Sequence, residues 1–193
     1  MEGAGSSAGT GAPASTSISV PCRGGAVSDL LPKRVRESTV ETTALVLPQD
    51  TNPHGTMFGG HLMALIDTTA AVAASRHARA LVVTAAMDEL HFLAPVMLGD
   101  ILMLRGSVNM VGTTSMEVGV RVEREDRLTG RRDHAASAYL TFVALDASRR
   151  PQPVPPLIAE SDDERRRMEN AGVRRADRLR RREAYRRTVT NES

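Results

Sequence analysis

Apolar positions recur along this chain in two rhythms, and the rhythms divide it into elements. From Val35 to Leu47 the chain is rich in Val, Thr and Leu and ends at Pro48, which predicts a first strand. A turn-rich stretch, Q-D-T-N-P-H-G, follows. From about Phe58 to Ala78 proline and β-branched runs disappear, and Leu62, Ile66, Ala70, Ala73 and His77 fall three or four residues apart. That spacing gathers them on one face of a helix of about 20 residues, roughly 30 Å long. Its second half is nearly all small residues, so it can lie close against a sheet. From Leu81 to Leu145 the rhythm is that of strands, with turn signals at P-V-M-L-G-D, M-V-G-T-T and D-R-L-T-G-R-R. Val118, Val120 and Val122 alternate with Glu117, Gly119, Arg121 and Glu123, and Ala136, Ala138, Leu140 and Phe142 repeat at period two. The order is strand, helix, four strands, which predicts an α+β fold with an antiparallel sheet.

Both ends differ from this middle. Residues 1–34 are rich in Gly, Ala, Ser, Thr and Pro, a composition that does not repay the entropy of ordering and predicts a disordered tail. A mitochondrial transit peptide is the alternative, but those are Arg-rich and acid-poor, whereas this segment has only Arg23 before Lys33 and carries Glu2 and Asp29. After Leu145 the run R-R-P-Q-P-V-P-P-L cannot continue a strand ladder, because proline removes donors and fixes φ. The folded domain is therefore expected over 35–157, followed by a charged Arg-rich helix over 158–193. Ser161 and Glu164 have the spacing of a capping box, and acids precede arginines as the helix dipole prefers. The apolar stripe of that helix, Met168, Ala176 and Leu179, is thin, which predicts a solvated helix docked only in part.

Composition narrows the function classes. A chain of 193 residues suits one domain with tails. Aromatic residues make up 3%, too few to stack several bases, so no nucleic-acid partner is expected. The net charge of +2 conceals a cluster of arginines after about residue 165. Cys22 is the single cysteine, so a disulfide framework and a multi-cysteine metal site are both excluded, and a reducing compartment fits. No run reaches the roughly 18 apolar residues of a membrane span, and the N-terminus lacks the regions of a signal peptide. The expectation is a cytoplasmic protein with no membrane attachment.

Candidate chemistry concentrates in D-T-N-P-H-G-T-M-F-G-G-H-L-M-A-L-I-D, residues 50–67. Gly59 and Gly60 fall at the helix start, where free backbone N–H groups and the positive dipole end suit a developing oxyanion. Asp67 follows two turns later among small and apolar residues, where a carboxylate is costly unless it has partners or a task. Tight packing at the glycines and a surface role for Asp67 are the plainer alternative, and a single carboxylate does not decide between them.

The string resembles the acyl-CoA thioesterase family of hotdog proteins, in which D-T-N, a following Gly, F-G-G and a helical Asp recur in this order. The resemblance extends over about residues 36–157 and includes V-G-T-T-S before a V-x-V-x-V strand, the A-Y-L-T-F-V-A-L-D strand and the R-P-x-P-V-P-P exit. It implies a sheet wrapped around the long helix, a homodimer with one continuous sheet and, in many members, a trimer of dimers. It also implies hydrolysis of acyl-CoA to free acid and CoA. Asp67 would be the catalytic acid, acting as general base for water or as a nucleophile through an anhydride. Asn52 would frame the site across the dimer seam, and amides near Gly59 and Gly60 would polarise the thioester carbonyl. Gly112, Thr113, Thr114 and Ser115 would lie along the pantetheine or pyrophosphate of CoA. Arg149 and Arg150, just after the last strand, are candidates for the CoA phosphates.

Other residues have ordinary readings. His54 is either a substrate contact or a solvated loop residue and stays outside the catalytic set, and His91 is expected to be a strand residue; the five histidines lack metal-ligand spacing, so no metal and no cofactor is implied, CoA being part of the substrate. Asp88 and Glu89, as strand neighbours, are expected to face opposite sides. A dehydratase or hydratase of the same fold would call for a His–carboxylate pair, and none is visible in the sequence. An acyl-CoA sensor would need a DNA-binding helix-turn-helix, which the N-terminal segment does not supply.

Overall fold

A computed structural model describes residues 30–191, with side chains described through residue 185. The predicted tail lies outside these residues up to position 29. Strand β1 (Lys33–Arg34) and a 3-10 turn (Val35–Glu37) lead into β2 (Val40–Leu45), and a second 3-10 turn (Pro48–Asp50) precedes helix α1 (Gly59–Ala78). Strands β3 (Leu81–Phe92), β4 (Ile101–Val111), β5 (Ser115–Glu125) and β6 (Arg132–Leu145) follow, then β7 (Leu157–Ile158) and helix α2 (Asp162–Asn191). The main sheet has the order β2-β4-β5-β6-β3, and every pairing is antiparallel.

Helix α1 lies on the inner face of this sheet with the predicted residues inward. Leu62, Ile66, Ala70, Ala73 and His77 are all buried. They meet Val118, Val120, Val122, Ala136, Ala138, Leu140 and Phe142 in one core, so the two periodicities converge on a shared interior. The approach is close: a Cβ at Gly106 of β4 would come within 3.3 Å of the Thr69 methyl group. Arg79, in the left-handed conformation at φ 51°, ends the helix and returns its N–H to the Ser75 carbonyl at 2.8 Å.

Two expectations are revised. Lys33 and Arg34, placed in the tail by composition, form the parallel ribbon β1–β7, and the Lys33 ammonium donates to the α1 carbonyls of Arg76 (3.1 Å) and His77 (2.6 Å). In the proline-rich exit, Val154 is buried and donates its N–H to the Thr113 carbonyl.

The second revision concerns α2. Its N-terminus has the expected capping box, Glu164 N–H donating to Ser161 Oγ and Ser161 N–H to Glu164 Oε2, each at 3.2 Å. It then packs along the outer face of the sheet, but through arginines: Leu179 and Ala176 face solvent, while Ala171 is buried. Arg174 grips Glu117 of β5 with both ends of its guanidinium, at 2.7 and 3.2 Å, and its Cζ stands 3.6 Å over the Tyr139 ring. Arg178 bonds Asp88 of β3 and the Thr141 hydroxyl of β6. Glu117, which alternates with the core valines of β5, points outward and yet is 2% exposed because α2 covers it. Gly119 makes room there, since a Cβ would lie 2.5 Å from the Asn109 amide nitrogen that donates to Glu117.

Candidate active site

Asp67 sits on α1 where the helix turns toward β3, half-buried, and its Oδ1 accepts a hydrogen bond from the Thr84 hydroxyl at 2.7 Å. Thr84 pairs in register with Phe142 of β6, so the hydroxyl is carried by the sheet rather than by a loop. One carboxylate oxygen is thereby held, and among the described residues no donor bonds the other. Thr84 was not singled out in the sequence. A lone Thr in a strand carries no signal until a residue 17 positions away is folded against it.

Asn52 belongs to the loop before α1 and shapes that loop. Its Oδ1 accepts from the His54 N–H at 2.9 Å and the Thr56 N–H at 3.3 Å, and its amide nitrogen donates to Thr56 Oγ1 at 2.9 Å. His54 itself is exposed, as expected of a loop residue. Gly59 and Gly60 are the first two helical residues, and among the described residues no acceptor bonds their N–H groups. Side chains would crowd this entry: a Cβ on Gly60 would stand 2.5 Å from the Phe58 ring, and one on Gly59 3.6 Å from Phe92. A cavity of about 350 Å³ opens beside Gly59, with Met57, Leu62, Phe92, Pro95 and Val96 in its wall. It is mostly apolar, with the size and lining of a small-molecule pocket.

Within one chain the acid and the amides do not converge. Seven or eight residues of helix separate Asp67 from Gly60 and Gly59, roughly 11 Å along the axis. A carbonyl held by the amides therefore needs an acid from elsewhere. Strand β3 ends the sheet with a free edge and exposes Leu81, Val83 and Phe92, a combination that invites pairing with another strand.

The remaining candidates lie apart from this centre. Gly112, Thr113, Thr114 and Ser115 form the β4–β5 turn, closed by the Gly112 N–H on the Ser115 carbonyl at 2.7 Å. The carbonyls of Thr113 and Thr114 are taken by the N–H groups of Val154 and Ala144, so the turn also anchors the chain exit. Arg149 (φ 59°) and Arg150 are exposed at the turn after β6, where the Asp146 carboxylate accepts the Arg150 N–H. The Arg150 N–H bond, with burial opposing it, holds the Asp146 carboxyl below its ordinary value.

Two further corrections arise. Asp88 and Glu89 do not face opposite sides: the β3–β6 register shifts between Met87 and Glu89, so Asp88 reaches Arg178 while Glu89 stands opposite Tyr139 on the same outer face. A His–carboxylate pair does exist, unseen in the sequence. His61 Nδ1 lies 3.1 Å from Oδ1 of the buried Asp50, whose other oxygen accepts the Leu47 N–H. The pair ties the 3-10 turn to the first turn of α1. No group of three or more His, Cys, Asp or Glu among the described residues is arranged to hold a metal, and no described helix is long and apolar enough to cross a membrane.

A five-stranded antiparallel sheet wrapped on one long helix, with an acid midway along that helix, defines the hotdog class. The family model of the Thioesterase superfamily matches residues 54–130. The uncharacterized acyl-CoA thioester hydrolase YkhA of Bacillus subtilis is 44% identical over 156 residues, covering 81% of this chain and 90% of its own. This chain belongs to the acyl-CoA thioester hydrolase family of hotdog proteins. Among solved structures, an acyl-CoA hydrolase from Staphylococcus aureus in complex with butyryl coenzyme A, coenzyme A and coenzyme A disulfide superposes with a TM-score of 0.77 at 44% identity, covering 81% of this chain and 96% of its own. Variants of that enzyme with an Asn, an Asp or a Thr replaced by Ala match at 0.79, 0.78 and 0.77, the three positions lying 15 and 17 residues apart along its chain. An apo-hexameric acyl-CoA thioesterase matches with a TM-score of 0.77 at 43% identity, covering 79% of this chain and 97% of its own.

Proposed function

We propose that this protein hydrolyses acyl-CoA thioesters to the free acid and CoA in the cytoplasm, as a homodimer or a trimer of dimers, with Asp67 as the reacting carboxylate. The observation that carries this reading is the Thr84–Asp67 bond at 2.7 Å. Asn52, Asp67 and Thr84 are spaced at the same intervals of 15 and 17 residues as the three residues replaced in the Staphylococcus aureus enzyme.

The chemistry follows from what each group has free. The Gly59 and Gly60 amides of one protomer receive the thioester oxygen, where preorganised N–H donors act on the charge that develops in the transition state. Asp67 of the partner, pinned through Oδ1 by Thr84, presents Oδ2. That oxygen either takes a proton from the attacking water or attacks the carbonyl carbon to form an anhydride that water then cleaves. The tetrahedral centre collapses with loss of the CoA thiolate, a good leaving group that requires no strong acid. Asn52 holds the loop that sets the position of the amides. The cavity beside Gly59 takes the acyl chain, while the Gly112–Ser115 turn, Arg149 and Arg150 lie along CoA.

Thiol release measured across acyl lengths tests the reading. Asp67→Asn and Asp67→Ala are expected to lower kcat by about 100-fold or more with the oligomer intact. Turnover at the native rate in both variants would reject it. The Asp50–His61 pair supports a second reading, hydration of an unsaturated acyl thioester, and enoyl-CoA hydration assayed beside thiol release separates the two.

A further inference from the structure

Strand β3 carries Thr84, yet its pairing with β6 is irregular. Its ladder to β6 shifts register twice, between Thr84 and Ala86 and between Met87 and Glu89. Bulges leave residues unpaired and let a strand bend. Against this background one side chain of β3 is deeply enclosed, the Asp88 carboxylate, 3% exposed. It accepts from the Thr141 hydroxyl at 2.9 Å and from Arg178 of α2, which also donates to that hydroxyl at 2.6 Å. The anchor sits within the second bulge, four residues from Thr84.

We propose that Asp88 and Arg178 are positioning residues for catalysis: by clamping the bulged strand β3 to β6 and α2, they hold the Thr84 hydroxyl on Asp67. This rests on the reading of Asp67 given above. The clamp acts on the outer face of the sheet and its effect emerges on the inner face, because the register shift between Thr84 and Ala86 breaks the alternation that would put residues four apart on one side, while the continuous strand backbone couples the two. A buried, charge-assisted contact suits the task, since it has one geometry whereas an apolar contact at this edge would tolerate sliding. Arg174 supplies the comparison. It fastens the same helix to the same face, but to Glu117 on the central strand β5, which does not carry Thr84.

A double-mutant cycle on the full-length oligomer tests the clamp. Thr84→Ala is expected to lower kcat about tenfold, the loss of one hydrogen bond to a charged group, and Arg178→Ala to lower it severalfold with KM changed less than about twofold. In the Thr84→Ala background, Arg178→Ala should cost less than about twofold further, because the hydroxyl it positions is gone. Amide exchange over residues 83–90 should quicken in Arg178→Ala beyond any change that the same amides show in Arg174→Ala. The proposal is overturned if Arg178→Ala leaves kcat unchanged, if it lowers kcat equally in both backgrounds, or if Arg174→Ala lowers kcat as much. Should Arg178→Ala fail to assemble, Asp88→Asn, which keeps shape and removes charge, enters the same cycle with the same outcomes. An Asp67→Asn variant that retains native turnover would strike the proposed function itself, separately from the clamp.

Discussion

The two faces of the main sheet are closed by helices that could hardly differ more. On the inner face α1 buries Leu62, Ile66, Ala70, Ala73 and Ala74 against valines and alanines of the strands, a contact that depends on area removed from water and on close packing. On the outer face α2 has Ala171 as its fully enclosed apolar residue, and it is held by Arg174 and Arg178 on acids of the sheet. Burial acts to lower the Arg174 pKa, and the Glu117 bond outweighs it, so the guanidinium stays firmly charged. Apolar contacts are non-directional and add to stability with area. Buried ion pairs add little net stability over a well-packed apolar pair but impose one arrangement, and losing either partner is costly. The inner face makes the fold stable, while the outer face decides how the strands are aligned.

Four experiments break or sharpen that contrast. The largest effect is expected on the inner face, where Ile66→Ala leaves a cavity at a fully enclosed site and should destabilise by about 4 kcal/mol, read by urea unfolding and little altered by salt. Next, Arg174→Ala strands the enclosed Glu117 carboxylate and should cost about 3 kcal/mol, read in the same way.

The third effect is a pH dependence at the far end of α1. His77 is enclosed, donates through Nε2 to the Pro155 carbonyl at 2.9 Å, and has no partner at Nδ1 among the described residues. Burial, aided by the Lys33 charge and opposed by the Pro155 bond and Glu37, holds its pKa below the ordinary 6.5. The unfolded chain therefore binds the proton more readily. The stability His77 allows is complete above pH 6.5 and is lost as pH falls from there through the folded-state value. Melting temperatures measured downward from pH 7.5 should show this fall, and His77→Leu should flatten it. The smallest effect is expected when both outer-face partners are replaced: Glu117→Leu with Arg174→Met should lie within about 1 kcal/mol of the native protein. A loss as large as that of Arg174→Ala alone would show that the pair stabilises rather than aligns.

Much of the candidate site was legible from the chain. The spacing of Leu62, Ile66 and Ala70 oriented α1, and the glycines fall at its start, where among the described residues no acceptor bonds their amides. Thr84 was not legible, because its meaning lies in one contact across two elements. Asp88 and Glu89 were misjudged because a bulge breaks the period of two on which the argument rested. The arginines of α2 read as a solvated run because a charge is assumed to face water unless a partner is in view, and theirs lie 57 and 90 residues away. His61 and Asp50 escaped notice for the same reason at shorter range.

The sequence by itself determined where helix and strands run, which of their faces are apolar, and that an acid and two glycines share one helix, since these follow from hydrogen bonding and periodicity among neighbours. Only the tertiary structure decided which charged groups are enclosed, which strand is bulged and clamped, and that the Thr84 hydroxyl meets Asp67. Enclosure of a charge is a property of the partner brought to it, and that partner is chosen by the whole fold.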